Sequence, residues 1–129
     1  MATKVIVVDD AAFIREVLGY ILQDAGYEIV GEAADGDEAV EIVKKTEADL
    51  VLMDIVMPRK SGVQAAKEIL EDMPNLPIVA ISTEDSETMV MKALEAGCCD
   101  YVVKPFKKDE LIRVLNKVTG REGAGGANA

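Results

Sequence analysis

The segment DLVLMDIVMPRKSG, residues 49–62, combines an apolar run with an acidic residue at its end. Its apolar run is typical of a strand covered on both faces, and the run ends at Asp54. Pro58 and Gly62 then interrupt any regular element. An acidic residue often marks the point where a strand leaves the core. The segment alone therefore leaves Asp54 open between a strand terminator and a functional carboxylate.

Strand and helix patterns alternate along the whole chain. Apolar runs predict strands at residues 4–8, 28–32, 50–54, 77–82 and 100–104. Apolar residues at helical spacing follow each strand, and the first predicted helix spans residues 12–25 and stops before Gly26. Asp35 and Glu38 form a predicted capping box at the start of the second helix. The alternation predicts an α/β domain, a doubly wound parallel sheet with helices on both faces.

Composition and charge exclude several classes of protein. The chain has 129 residues, half of them apolar, and 24 acidic against 14 basic residues give a formal charge of −10. Phosphate backbones repel so acidic a surface, so we expect no direct nucleic-acid binding. The N-terminal segment has no signal-peptide pattern, and no apolar run reaches membrane-spanning length. We therefore expect a cytoplasmic protein without membrane insertion.

Cysteine and histidine usage narrows the chemistry further. Cys98 and Cys99 are adjacent, which is poor geometry for a disulfide bond and unlike the spacing of zinc sites. We expect both to be reduced thiols at a helix-to-strand junction. The sequence contains no histidine. Ser-His and Cys-His nucleophile pairs are thus excluded, and any phosphohistidine chemistry has to come from a partner.

Polar residues follow the apolar runs at the carboxyl ends of four predicted strands: Asp9, Asp10, Asp54, Ser82 and Lys104. Ligands of doubly wound sheets bind beyond these strand ends, so we expect the five side chains on one rim. Nearby carboxylates repel one another, and a set of hard oxygen ligands suits Mg²⁺, which commonly pairs carboxylates with a phosphate. With a lysine and a hydroxyl beside them, the predicted rim is a pocket for a phosphoryl group.

A nucleotide-binding P-loop does not supply this pocket. Gly31 and Gly36 have the required spacing, but Asp37 follows where the P-loop needs a lysine. The phosphoryl acceptor is therefore expected to be a side chain of the rim.

Four blocks resemble, in the same order, the response-regulator receiver domain, especially its chemotaxis single-domain type. They are VVDDAAFIR (7–15), LVLMDIVMPRKSG (50–62), PIVAIS (77–82) and AGCCDYVVKPF (96–106), and the resemblance covers residues 4–119. The resemblance implies a flavodoxin-like sheet of strand order 2-1-3-4-5 flanked by five helices.

The resemblance also implies a role for each residue of the rim. Asp54 matches the phosphoacceptor, and Lys104 matches the residue that pairs with the phosphoryl group. Asp10 and Asp54 match the direct Mg²⁺ ligands, the backbone carbonyl of Val56 matches a third ligand, and Asp9 assists through water. The resemblance thus favours the functional interpretation of Asp54.

A switch and a set of partners are implied in the same way. Ser82 matches the switch hydroxyl, and Tyr101 matches the switch aromatic, for which a half-buried strand residue with its hydroxyl in solvent is the alternative. The Lys104–Pro105 peptide bond matches one that is cis in the family. The implied partners are a sensor histidine kinase, a target on the face made by helix 4, strand 5 and helix 5, and a phosphatase. The chain would then be a signalling protein that catalyses its own phosphorylation and dephosphorylation.

Two other classes share parts of the pattern. A haloacid-dehalogenase-like phosphatase also uses an aspartate nucleophile with Mg²⁺, but it needs a second aspartate where Val56 stands. A flavodoxin-like flavin carrier needs a Ser/Thr/Gly-rich phosphate loop where this chain has DDAAF, residues 9–13.

The sequence predicts a receiver domain at residues 1–119. Residues 120–129 have no apolar periodicity and too little to bury, so we expect a flexible tail there. A stand-alone regulator and a truncated receiver of a longer protein both fit these residues.

Overall fold

The computed structural model describes residues 2–120, which form a five-stranded sheet covered by five helices. All strand pairs are parallel and their order is 2-1-3-4-5. The strands are β1 (Thr3–Val8), β2 (Tyr27–Ala33), β3 (Leu50–Asp54), β4 (Ile78–Ser82) and β5 (Asp100–Val103). The helices are α1 (Ala12–Asp24), α2 (Gly36–Lys45), α3 (Gly62–Asp72), α4 (Glu87–Glu95) and α5 (Lys108–Thr119). The predicted fold is confirmed, and each predicted strand boundary lies within one residue of the observed one.

Both faces of the sheet are buried, which explains the continuous apolar runs of its strands. Successive side chains of a strand point to opposite faces. In β1, Val5 and Val7 pack with residues of α1 and α5, whereas Ile6 and Val8 pack with residues of α2, α3 and α4. Each such side chain contributes about 1.5–3 kcal/mol when fully buried. The apolar body of the sheet thus leaves polar side chains to the strand ends.

The predicted capping box at the start of α2 and the predicted glycine stop after α1 are confirmed. Asp35 Oδ1 accepts a hydrogen bond from the Glu38 amide at 2.9 Å, as in a capping box. Glu38 Oε1 accepts from the amide of Ala34, one residue before the cap, at 2.9 Å. Gly26 follows α1 with a φ of 89°, a left-handed conformation that glycine adopts without strain.

Both cysteines are free thiols between α4 and β5, as predicted. Burial raises the pKa of the Cys98 thiol to about 12, and Cys99 is exposed. From Ala2 to Gly120, no helix combines the length and the apolar character needed to cross a bilayer. Residues 121–129 of the predicted tail lie outside the described residues, so the division between residues 1–119 and 120–129 stays a prediction.

Candidate functional site

Three polar residues predicted for the rim are buried at the carboxyl edge of the sheet. Asp54 is the last residue of β3, Ser82 is the last residue of β4, and Asp9 directly follows β1. All three are almost inaccessible to solvent. Since β1 and β3 are parallel neighbours with Val8 opposite Met53, Asp9 and Asp54 emerge side by side. The sheet therefore positions two buried carboxylates at one place.

The carboxylates of Asp9, Asp10 and Asp54 form an acidic cluster. One oxygen of each lies within 4.8 Å of the others, with Asp10 on the exposed side. Burial raises the pKa of the Asp54 carboxyl, and the negative charge of Asp9 adds to this effect against the amide of Val56 and the charge of Lys104. Oxygen ligands in this arrangement fit a hard cation such as Mg²⁺, because the cation removes the repulsion between them.

Lys104 joins the two buried carboxylates. Its Nζ donates to Asp9 Oδ2 at 2.7 Å and to Asp54 Oδ2 at 3.2 Å. Burial lowers the pKa of Lys104, but the hydrogen bond to Asp9 and the charges of both carboxylates outweigh burial, so its pKa lies above the ordinary value. Lys104 is therefore a fixed cation at neutral pH. The Lys104–Pro105 peptide bond is cis, as the resemblance implies.

The carboxylate of Asp54 is held at both oxygens. Oδ2 accepts from Lys104, and Oδ1 accepts from the amide of Val56 at 3.0 Å. The loop between β3 and α3 closes on itself, because the Gly62 amide donates to the Ile55 carbonyl at 3.0 Å. The orientation of Asp54 thus depends on Lys104 and on the backbone of the loop that follows β3.

Ser82 and Tyr101 contact the same residue of the loop between β4 and α4. Ser82 Oγ accepts from the Glu84 amide at 3.0 Å, and the Tyr101 hydroxyl donates to the Glu84 carbonyl oxygen. The hydroxyl of Tyr101 is therefore hydrogen-bonded to the backbone, unlike in the alternative that leaves it in solvent. The Lys104 amide donates to the Ser82 carbonyl at 2.7 Å, which links this loop to the end of β5.

Two arginines near the site were missed by reasoning from the sequence. Arg15 donates from Nη1 to the Asp9 carbonyl oxygen at 2.5 Å and from Nε to Glu32 Oε1 at 3.0 Å. Arg59 pairs with the buried carboxylate of Asp35. Both arginines stand in the quoted blocks, but the side-chain partners of Arg15 and Arg59 lie 17 and 24 residues away, so no local pattern indicates these two ion pairs.

Known proteins match the chain over nearly its whole described length. A family model described as the response regulator receiver domain matches residues 5–116. The chemotaxis protein CheY from Thermotoga maritima is 45% identical over 119 residues, which cover 92% of this chain and 99% of that protein.

Solved structures agree with this match. The complex of CheX with CheY, BeF₃ and magnesium from Borrelia burgdorferi aligns with a TM-score of 0.87 and 31% identity, over 90% of this chain and 88% of that one. The receiver domain of a sensor histidine kinase from Pseudomonas aeruginosa was solved with a magnesium ion coordinated in its active-site cleft. It aligns with a TM-score of 0.84 and 31% identity, over 93% of this chain and 99% of that one.

The family match and the solved structures agree with the geometry of the site. An aspartate ends the third strand of a 2-1-3-4-5 sheet and lies beside two further carboxylates and a lysine. The haloacid-dehalogenase-like alternative has no support in these matches. The chain belongs to the response regulator receiver domain family.

Proposed function

We propose that Asp54 accepts a phosphoryl group from a sensor histidine kinase, and that the modified receiver controls a partner protein in cytoplasmic chemotaxis signalling. One observation carries the proposal: the buried carboxylate of Asp54 has one oxygen on the Val56 amide and the other on Lys104, within a cluster of three acids. A carboxylate fixed at a strand end, with a cation beside it, is oriented for attack on a phosphorus atom.

Mg²⁺ fits the site as a cofactor. Asp10 and Asp54 would bind it directly, the backbone carbonyl of Val56 would be a third ligand, and Asp9 would act through water. The closeness of the three carboxylates supports this assignment, because an ion would relieve their repulsion. When bound, Mg²⁺ supplies the positive charge that lets a phosphoryl anion approach the acids.

The chemistry requires few protein groups. An oxygen of Asp54 forms a bond to phosphorus while the bond from phosphorus to the imidazole nitrogen of the kinase breaks, which gives an acyl phosphate. Lys104 exchanges its contact with Asp54 for one with a phosphoryl oxygen, and this stabilises the developing charge. Water later hydrolyses the acyl phosphate. In this proposal the receiver catalyses both its own phosphorylation and its own dephosphorylation.

The signal leaves the site through Ser82 and Tyr101. A phosphoryl oxygen on Asp54 offers the Ser82 hydroxyl a charged acceptor. Since Ser82 and Tyr101 both bind Glu84, movement of Ser82 shifts the loop that holds the Tyr101 hydroxyl. The face formed by α4, β5 and α5 is then the output surface for a target protein. The Borrelia structure, in which a CheY is bound in a complex with CheX, makes a protein of that kind a candidate partner.

Acetyl phosphate and intact-mass measurement test the acceptor. We expect one added phosphoryl group in the presence of Mg²⁺ and none in EDTA, and the adduct should disappear in Asp54→Asn. Asp49→Asn is the matched control, because Asp49 precedes the same strand at its exposed end. An adduct that forms equally well in EDTA, or persists in Asp54→Asn, would refute the assignment.

Beryllofluoride tests the output separately from phosphoryl transfer. Chemical-shift changes of the amides of α4, β5 and α5 should appear when beryllofluoride binds with Mg²⁺. Ser82→Ala should still bind beryllofluoride at Asp54 but lose most of these changes. If Ser82→Ala responds as fully as the wild type, the coupling through Ser82 is wrong.

A further inference from the structure

The loop between β3 and α3, residues 55–61, is attached to the start of α2 by a group of contacts outside the acidic cluster. The Gly36 amide donates to the Lys60 carbonyl oxygen at 3.1 Å. Arg59 pairs with Asp35 through Nη2 and Oδ2. We call these four residues, Asp35, Gly36, Arg59 and Lys60, the α2 anchor. Lys60 Nζ adds an ion pair with Asp37 at 3.2 Å.

The ion pair of the α2 anchor is buried on one side only. The side chain of Asp35 is 3% exposed, whereas that of Arg59 is 72% exposed. The hydrogen bond from the Glu38 amide lowers the pKa of Asp35, and the charge of Arg59 lowers it further against the effect of burial. Asp35 Oδ1 accepts from the Glu38 amide, and Arg59 contacts the other oxygen, Oδ2. Arg59 therefore adds a charged partner to a buried carboxylate that the Glu38 amide already binds.

The backbone of Arg59 indicates that the loop conformation is imposed. Its φ is 63°, the left-handed region, where residues other than glycine, asparagine and aspartate are rare. The left-handed conformation is unfavourable for the backbone of an arginine. The contact of Arg59 with Asp35 offsets this conformational cost, as expected for a strained residue that its surroundings hold in place.

Gly36 supports the same conclusion from the other side of the contact. A Cβ atom at Gly36 would overlap the Lys60 carbonyl oxygen, which is backbone and has little freedom to move. The close approach of α2 to the loop therefore depends on the absence of a side chain at Gly36.

The loop held by the α2 anchor is the one that orients Asp54. It contains Val56, whose amide donates to Asp54 Oδ1 at 3.0 Å. We propose that Asp35 and Arg59 are positioning residues of the phosphorylation site: they fix the loop that presents the Asp54 carboxylate and the Val56 backbone to Mg²⁺. The inference rests on the proposed function, since it assumes Mg²⁺ binding at Asp54.

Calorimetric titration with Mg²⁺ alone tests the inference. Arg59→Asn removes the cation and keeps a residue that tolerates the left-handed conformation. We expect Mg²⁺ to bind about 10-fold more weakly, the size of effect found when groups that orient metal ligands are removed. Arg59→Lys should recover part of the affinity, because an ammonium keeps the charge but not the planar geometry of the guanidinium.

Lys45→Asn is the matched control. Lys45 forms an exposed ion pair with Glu41, and both residues lie on α2. Lys45→Asn therefore removes one positive charge, as Arg59→Asn does. Its Mg²⁺ affinity should stay within about twofold of the wild type, because charges on the surface are screened. An equal loss in Lys45→Asn would assign the effect to net charge and overturn the positioning role.

Amide hydrogen exchange of Val56 in EDTA gives a readout without metal. It should accelerate in Arg59→Asn, while the amides of β1 exchange as in the wild type. Lower unfolding stability with unchanged Mg²⁺ affinity and unchanged Val56 exchange would show a merely structural role and overturn the inference. If the wild type itself binds no Mg²⁺, the proposed function fails. If the wild type binds Mg²⁺ and Arg59→Asn binds it with the same affinity, only the positioning role of Asp35 and Arg59 is refuted.

Discussion

The two ends of the sheet carry the same types of charge in different surroundings. At the amino edge, Lys4 pairs with Glu47 at 3.4 Å, and their side chains are 34% and 89% exposed. At the carboxyl edge, Lys104 pairs with Asp9 at 2.7 Å, and their side chains are 14% and 1% exposed. Water screens the first pair and is largely excluded from the second. Burial, more than the presence of an ion pair, thus distinguishes the carboxyl edge from the amino edge.

The two ends of β3 show the same contrast within one strand. Asp49 precedes the strand in an exposed position, and its Oδ2 accepts a hydrogen bond from the Lys4 amide at 2.8 Å. Asp54 ends the strand, and burial raises the pKa of its carboxyl. A charge that is costly to bury persists only where a partner or a function compensates it. The carboxyl edge has the partner in Lys104 and, under the proposed function, the cofactor as well.

The largest effect should come from Lys104→Met, which leaves Asp9 and Asp54 without their shared cation. We expect the free energy of unfolding in EDTA at pH 7 to fall by about 3 kcal/mol, because breaking a buried pair strands its charges. Urea denaturation measures this loss, and Mg²⁺ should restore part of it. A loss below about 1 kcal/mol would mean that the carboxyl edge behaves like an exposed surface.

A smaller effect is expected from the titration of Asp54. Its pKa in the folded protein lies above the ordinary value of 3.8, so the folded state binds the proton more tightly than the unfolded state. The stability of the metal-free wild type, relative to Asp54→Asn, should therefore be highest below pH 3.8 and fall as the pH rises through the folded pKa. We expect this change to be smaller than the loss in Lys104→Met, because the Val56 amide and the charge of Lys104 oppose the effect of burial on Asp54.

Chemical denaturation of both proteins across this pH range isolates Asp54, because the other acids titrate in both. A relative stability that rises with pH would reverse the sign and show that Lys104 and the Val56 amide outweigh burial.

The smallest effect should come from Lys4→Met, the counterpart of Lys104→Met at the amino edge. We expect a loss of no more than about 0.5 kcal/mol, as for exposed ion pairs in general. The same urea experiment measures it, and high salt should remove whatever difference remains. A loss as large as that of Lys104→Met would show that burial does not distinguish the ion pairs of the two edges.

The strands, the helices and the rim can be predicted from the sequence alone. The runs VIVV and LVLM are continuously apolar because helices cover both faces of the sheet, and that pattern is visible without a structure. Asp54 and Ser82 could be placed on the rim because each ends an apolar run, and the carboxyl ends of parallel strands meet at one edge. Their proposed roles came from the resemblance to receiver domains, since a strand end alone does not separate a nucleophile from a terminator.

Which of these groups are in contact depends on how distant elements pack together. Lys104 and Asp9 are 95 residues apart, and nothing near either residue indicates that the lysine bonds to both buried acids. The pairing of Arg59 with Asp35 likewise depends on how closely α2 approaches the loop after β3. Secondary structure follows from short-range patterns of apolar residues, whereas these contacts follow from the packing of distant elements. Burial shifts the pKa of Asp54 only after that packing has excluded water.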